Sequence, residues 1–538
     1  MPKAQSSIAR KRASNASGFA KQAAILAAAT LVARFLGFLY RLPLTYLIED
    51  RGNALYGVGF QFYLFLLVLS SAGIPNAVSK MVSERLARAE YRSAHAVFRA
   101  AMVVAVVFGV AGSVLLWVMA GYFAVWFGFP ESVYAIRAVA PAVLLVAIMA
   151  VFRGYFQGMN NSVPTAISQV VEQFFNVVFK IWLAFIFIDN IEWAAAGATA
   201  GTGIGAFLGL LTLLGIYKLV SPKIQSRMRH DVSGKVERPR TLIKEVIRTA
   251  FPIILGAAIY SIANFIDMAM VSHRMRASGA FTQMEIDALY GQLTGKFVVL
   301  TTLPISISTA LAIAVLPSIA GSTATKDFKA VADKIGKALR LSTLISIPAA
   351  VGIGVMAEPI LMLLFPSNPE GAALLQAGAV SVIFLSLVQV ATGALQGIGK
   401  IMVPVIAAAT GALVKIPLNY VLIAQPEINV IGAVISTCIC YFLAAIINMA
   451  ALKKFTGIKI DWLGIFVKPL TAAVLMGIAC FISYYVLIML TAVHNAAATL
   501  FAVGLGMAVY FIMLLLLGGI HDEDIGRMPF VGRVLRRG

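Results

Sequence analysis

The sequence predicts an all-α integral membrane protein of fourteen transmembrane helices, two parallel six-helix repeats followed by two more. Three observations predict it: an apolar composition, a series of spans whose loops alternate in charge, and an echo between the two halves. Of 538 residues, 60% are hydrophobic and 12% charged, against about 45–50% and about 25% in soluble domains. Mean hydropathy is +0.90. Runs of the roughly 20 apolar residues needed to cross a hydrocarbon core recur from end to end. The formal charge of +20 lies in the loops, where topology and anionic lipid explain it better than nucleic acid, so no nucleic-acid partner is expected.

Taken in order, the first six spans cover about 20–48, 57–82, 94–119, 134–157, 162–188 and 193–219. The remaining eight cover 245–273, 290–318, 331–357, 373–396, 401–424, 430–452, 463–491 and 496–519. The first is longer than the minimum and either tilts or begins in the interface. A polar stretch precedes it, so no cleavable signal peptide is expected. Pro43, Pro75, Pro141, Pro252, Pro304, Pro348 and Pro417 fall within or near span ends, where each removes a helix hydrogen bond and offers a hinge.

The basic residues test this order. With the N-terminus inside, the inner loops hold Lys3, Arg10, Lys11 and Arg12, then Arg85, Arg88 and Arg92, then Lys218, Lys223, Arg227 and Arg229. Lys326, Lys329, Lys400, Lys453, Lys454, Arg533 and Arg536 follow on the same side. The opposite loops are sparse and acidic, with Glu49, Asp50, Glu131, Asp189, Glu358, Glu370 and Glu427. Only the loop after span seven, with His273, Arg274 and Arg276, breaks the rule. The asymmetry places both termini in the cytoplasm.

The second half echoes the first. Leu55-Tyr56-Gly57 opens span two and Leu289-Tyr290-Gly291 opens span eight. Gln157-Gly158 ends span four and Gln396-Gly397 ends span ten, so the two offsets are 234 and 239 residues. Six spans per unit return the chain to the same side, which makes the repeats parallel. The expected organisation is an N-terminal lobe at 1–219, a basic linker at 220–244, a C-terminal lobe at 245–452, two further spans at 453–519 and a basic tail at 520–538. The linker is expected to lie against anionic headgroups. The last two spans either form a groove facing lipid or brace the second lobe.

Ionisable groups at membrane depth are costly and face a cavity or a partner. Arg34 and Arg41 lie seven residues apart in the first span, on one face with Gly37 between them. Arginine's planar fork of donors suits phosphate or carboxylate. Lys80, Arg153, Lys296 and Lys415 are the other candidate anion contacts. Glu172 and Lys180 share a face of span five, and Asn264 with Asp267 makes a polar face on span seven; these four are candidates for ion coupling or pairing. Bases outnumber acids within the spans, which favours an anionic passenger over a cationic drug.

No phosphate-binding loop of the GxxxxGK[ST] type occurs, and no soluble domain is large enough for a nucleotide motor. Cys438, Cys440 and Cys480 lie in apolar segments and form neither a disulfide framework nor a metal site. No cofactor and no catalytic residue is expected. The drive is a membrane potential, a monovalent cation gradient or downhill flow of the passenger.

Four segments carry a resemblance: RFLGFLYRLPL at 34–44, LYG at 55–57, SSAGIPNAVSKMVSE at 70–84 and FRGYFQGMNNSVPTAISQVVEQ at 152–173. Together with the span order and Gln396-Gly397, they resemble the stage V sporulation protein B and polysaccharide biosynthesis branch of the multidrug/oligosaccharidyl-lipid/polysaccharide exporter superfamily. The resemblance implies a V-shaped transporter of two six-helix lobes with a cationic central cavity. It also implies a flippase, not an enzyme, of the bacterial cell membrane, related to the peptidoglycan-precursor flippases. Its substrate would be an undecaprenyl-linked glycolipid, lipid II first. The last two helices would guide the lipid tail, and Arg34 and Arg41 would meet the diphosphate. The Arg–x–x–Gly–x–x–x–Arg spacing here is one residue longer than the RxxGxxR form of related flippases, which turns Arg41 by about 100°. A monomer is expected to function, in contact with cell-wall synthesis proteins. The alternatives are an undecaprenyl-linked unit of capsule, exopolysaccharide or teichoic-type polymer, and cation-coupled multidrug efflux.

Overall fold

The computed structural model describes residues 28–519 except 30, 31, 34, 38, 68–72, 232–236, 459, 460, 492 and 493. Among the described residues every regular element is helical. Arg34 lies outside them.

The chain divides into two compact units, Met1–Gly295 and Lys296–Gly538. The first holds α1 (Arg41–Leu67), α2 (Gly73–Ala87), α3 (Tyr91–Trp126), α4 (Val133–Gly158), α5 (Val163–Ile186), α6 (Ile191–Arg229), α7 (Pro239–Ser278) and α8 (Gln283–Gly291). The second holds α9 (Val298–Ala324), α10 (Phe328–Val355), α11 (Ala357–Leu364), α12 (Ala372–Gly378), α13 (Ser381–Gly397), α14 (Met402–Leu422), α15 (Ile431–Thr456), α16 (Lys468–Thr491) and α17 (Asn495–Leu516). A π-helical turn at Gln292–Phe297 leads from α8 into α9.

Among the described residues, ten helices are long and apolar enough to cross a membrane, and the bent pair α12–α13, broken by 47°, makes an eleventh. The protein is therefore a multi-pass integral membrane protein. This is fewer than the fourteen spans expected. The three missing ones, 20–48, 57–82 and 245–273, each run over residues or side chains outside the described set. Only 22% of the apolar window of α3 is buried, against 67% for α4. Lipid, which is as apolar as leucine, covers the remainder of α3, and α4 is a central helix of its unit.

The segment expected as a linker is largely helical. α6 continues through Pro222 to Arg229, and α7 starts at Pro239. It is also tied down by acids. Arg85, at the end of α2, holds Glu237 at 2.6 Å and Glu245 at 2.9 Å. The Arg92 amide donates to Asp231 at 2.6 Å. The boundary between units falls after this segment, so α7 and α8 belong with the first unit.

Two helix starts follow directly from local sequence. Asn190 accepts from the amides of Glu192 and Trp193 to cap α6, and Thr282 with Glu285 forms a reciprocal capping box on α8. α1 is two helices merged across a kink at Glu49, whose φ is +53°. A non-glycine residue there costs about 1–3 kcal/mol and persists only where neighbours over-determine it. Here they do. Asn53 Nδ2 donates to the Glu49 carbonyl at 2.7 Å, and Thr45 Oγ1 donates to the Gly295 carbonyl at 3.1 Å. Gly291 touches the outside of the kink so closely that a Cβ would fall 1.7 Å from the Asp50 carbonyl oxygen. The glycine of the first LYG faces Thr294 in turn, its would-be Cβ 3.2 Å from Oγ1. The two echoing tripeptides thus pack about one kink.

In the second unit, Ile335, Leu339, Val390, Leu395, Ala407 and Leu452 form a fully buried core shared by α10, α13, α14 and α15. α16 and α17 pack on the α10–α11 corner through Met356, Met476, Cys480 and Ala502. Their other faces expose Leu470, Ile478, Phe501 and Met507.

Candidate functional site

The polar interior of the first unit is built on α5. Glu172, Asn176 and Lys180 follow one another at four-residue intervals, at 5%, 4% and 0% exposure, and face α6. What lets them in is a row of glycines on α6 with the same spacing. A Cβ at Gly201 would lie 2.5 Å from the Lys180 nitrogen, at Gly205 2.6 Å from the Glu172 carbonyl, and at Gly209 3.1 Å from the Glu172 Cβ. Gly197 continues the row against Leu183. Small residues every fourth position let membrane helices approach backbone to backbone. Gly205→Val should therefore destabilise the protein by about 1–3 kcal/mol, read as a lower melting midpoint in detergent; an unchanged midpoint would show that α6 stands further off.

Each charge on α5 has its own partner. Arg153 Nη2 of α4 meets Glu172 Oε2 at 2.6 Å, and its Nε donates to Ser168 Oγ at 3.1 Å. Arg153, expected as a headgroup contact, is therefore spent on a buried ion pair. Lys180 is different. Its Nζ donates to Tyr56 Oη at 2.8 Å and Tyr40 Oη at 3.2 Å, and the two hydroxyls lie 2.9 Å apart. The rings of Tyr40 and Phe60 stand 4.3 Å and 4.6 Å from the ammonium. Among the described residues no carboxylate joins it. A cage of ring faces and hydroxyl oxygens stabilises a cation without neutralising it.

Arg41 approaches the same Phe60 ring at 5.7 Å and is half-buried. It has no ion pair among the described residues. Two cations thus flank one phenyl ring, one sealed and one open. Gly37, at the start of this wall, brings the first span against α5, its would-be Cβ 3.6 Å from Gln173 Oε1.

The other expected residues are placed elsewhere. Lys80 is exposed on α2, Asn264 is exposed and Asp267 half-buried on α7. In the second unit Lys296, 2% exposed, gives its protons to the carbonyls of Asn368 and Glu370 at 2.9 Å and 3.0 Å and to Asn368 Oδ1 at 3.3 Å. Those bonds hold the α11–α12 loop. Lys415 is buried on α14, between Gly411, which abuts Cys440, and Asn419, which accepts from Ser436. Positions 411, 415 and 419 follow 172, 176 and 180 by the same 239 residues that separate the two Gln-Gly motifs. Each unit thus buries a polar row on the helix after that motif. Tyr40, Phe60, Ser168 and Asn176 were not singled out in the sequence, and Tyr56 entered only as part of the LYG echo. The four-residue spacing of the glycines at 197, 201, 205 and 209 is the unread sequence signal that could have marked where such partners converge.

Comparison with known proteins accords with this architecture. A family model described as polysaccharide biosynthesis protein matches residues 19–323, and one described as MatE matches residues 252–421. The chain is 28% identical over 535 residues to the lipid II flippase MurJ of Bacillus subtilis (strain 168), covering 94% of this chain and 96% of that relative. It is 27% identical over 523 residues to the stage V sporulation protein B of the same organism, covering 96% and 99%. A solved structure of the lipid II flippase MurJ in an inward closed conformation superposes with a TM-score of 0.68 at 16% identity, over 91% of this chain and 98% of that one. With more than half its length matched by one family model, the chain belongs to the polysaccharide biosynthesis protein family, transporters rather than enzymes, within the multidrug/oligosaccharidyl-lipid/polysaccharide superfamily.

Proposed function

We propose that the protein flips an undecaprenyl-diphosphate-linked glycan across the bacterial cell membrane by alternating access, with lipid II as its passenger. The observation that carries this reading is the half-buried Arg41, its guanidinium on Phe60 and without an ion pair among the described residues, backed by the caged Lys180. A cationic surface at that depth replaces the hydration of a diphosphate, whose transfer into hydrocarbon is otherwise prohibitive. By sequence Arg34 is the second arginine assigned to the diphosphate, and Lys415 is the buried base of the other unit. Drug efflux would call for unpaired acids, whereas Glu172 is neutralised by Arg153. The names of the relatives, a lipid II flippase and a sporulation protein, support the same class of cargo. The family description supports a second reading, another undecaprenyl-linked polysaccharide unit. Fourteen spans, with both termini cytoplasmic, belong to this proposal, as does drive by the membrane potential or a monovalent cation.

The test uses purified protein in liposomes carrying labelled lipid II and an unrelated undecaprenyl-diphosphate sugar, with outer-leaflet exposure of each followed in time. Wild type should expose lipid II selectively, and Arg41→Ala should slow it at least about tenfold, the cost of one charge-assisted phosphate contact. Equal movement of both lipids would favour the polysaccharide reading. Movement of neither, with sodium-driven loss of a cationic dye, would replace both with efflux.

A further inference from the structure

The first three turns of α7 carry two rows of side chains at four-residue spacing. Arg240, Lys244 and Arg248 are exposed. Beside them Ile243 is half-buried, while Ile247 and Phe251 are 40% and 58% exposed. Leu242, Val246 and Ala250 on the opposite side are buried in the unit. The six outer residues line an open groove of about 620 Å³. Both acids nearby, Glu237 and Glu245, are engaged by Arg85 and do not line the groove. The charged residues of its lining are all basic, and these three bases have no ion-pair partner among the described residues.

We infer that this groove binds a bilayer phospholipid with an anionic headgroup, phosphate against the basic row and acyl chain along Ile243, Ile247 and Phe251. Charge complementarity selects an anion, and the apolar row beside it selects one attached to a chain. The lining holds no amide or hydroxyl side chain that would read a sugar. That composition favours a phospholipid over the glycolipid passenger, and the inference stands independently of which glycan is transported. Long basic side chains on such a helix lay their stems on the apolar surface and reach the phosphate plane.

The experiment reconstitutes the full chain in phosphatidylcholine bilayers with a trace of spin-labelled phosphatidylglycerol or spin-labelled phosphatidylcholine, and reads the motionally restricted fraction of each. Wild type should prefer phosphatidylglycerol. Arg240→Gln, Lys244→Gln and Arg248→Gln should each lower that preference by about fivefold, the ordinary worth of one basic residue at an anionic surface. Control single substitutions of the exposed Lys218, Lys223 and Arg227 to Gln each remove the same charge elsewhere and should leave the preference intact. The inference fails if the α7 substitutions change nothing or if the controls lower the preference equally. It also fails if an undecaprenyl-diphosphate glycan displaces the label at a mole fraction where unlabelled phosphatidylglycerol does not, since the groove would then be a cargo site.

Discussion

Glu172→Ala should lower the melting midpoint of the purified protein more than any other single change to its charged residues, corresponding to about 3–5 kcal/mol. The reason is asymmetry. Arg153 and Glu172 have side chains 13% and 7% exposed, bonded at 2.6 Å. Removing the acid leaves a buried guanidinium with only the neutral Ser168 hydroxyl and the weakly accepting Met149 sulfur. Replacing both partners by apolar residues of similar volume, Arg153→Met with Glu172→Leu, should recover most of the loss, because neither charge is then stranded. Differential scanning of the two singles and the double measures the coupling directly. Singles and double that melt alike would mean that the pair is not formed in the protein.

Lys180→Met should do the opposite: leave stability unchanged or raised while lipid II exposure in liposomes falls at least about tenfold. Burying an ammonium costs several kcal/mol before its partners offset the cost. Methionine fills the same channel between α5 and α1 without that penalty. The tyrosines are not orphaned, since Tyr40 Oη and Tyr56 Oη already lie 2.9 Å apart. A buried charge that stability does not require is held for function, at the expense of the fold. If the variant melts early and transports normally once folded, Lys180 is a structural clasp and the cationic wall reduces to its arginines.

What could be read beforehand was whatever has a period or a fixed membrane cost. The apolar runs, the loop charges and the Gln-Gly echo come from physics that acts along the chain. They anticipated the ten crossing helices and the bent pair at 372–397. That Lys415 would be buried was equally plain, because a base amid apolar residues has few places to go. Partners were not legible. Arg153 meets Glu172 across 19 positions and Lys180 meets Tyr56 across 124. Nothing local distinguishes such a tyrosine from one anchoring a helix end. Lys296 looked like a cavity base, yet its three protons go to a loop more than seventy residues away. The linker shows the same limit: its basic composition did not reveal that Glu237, and Glu245 just beyond it, would pair with Arg85.

The glycine row on α6 carries a mechanical consequence. Where two helices touch through side chains, a rotamer change can absorb a small roll or slide. At Gly201 and Gly205 backbone meets backbone, and there is no soft layer between. α5 and α6 must then move as one girder, carrying Lys180 and the Arg153–Glu172 pair with them. Bending is easier where the helical ladder is already broken, as at the Glu49 kink in α1, the π-turn at Gln292–Phe297 and the helix-interior prolines such as Pro141. A pair of helices this closely joined carries a displacement along its length without blurring it.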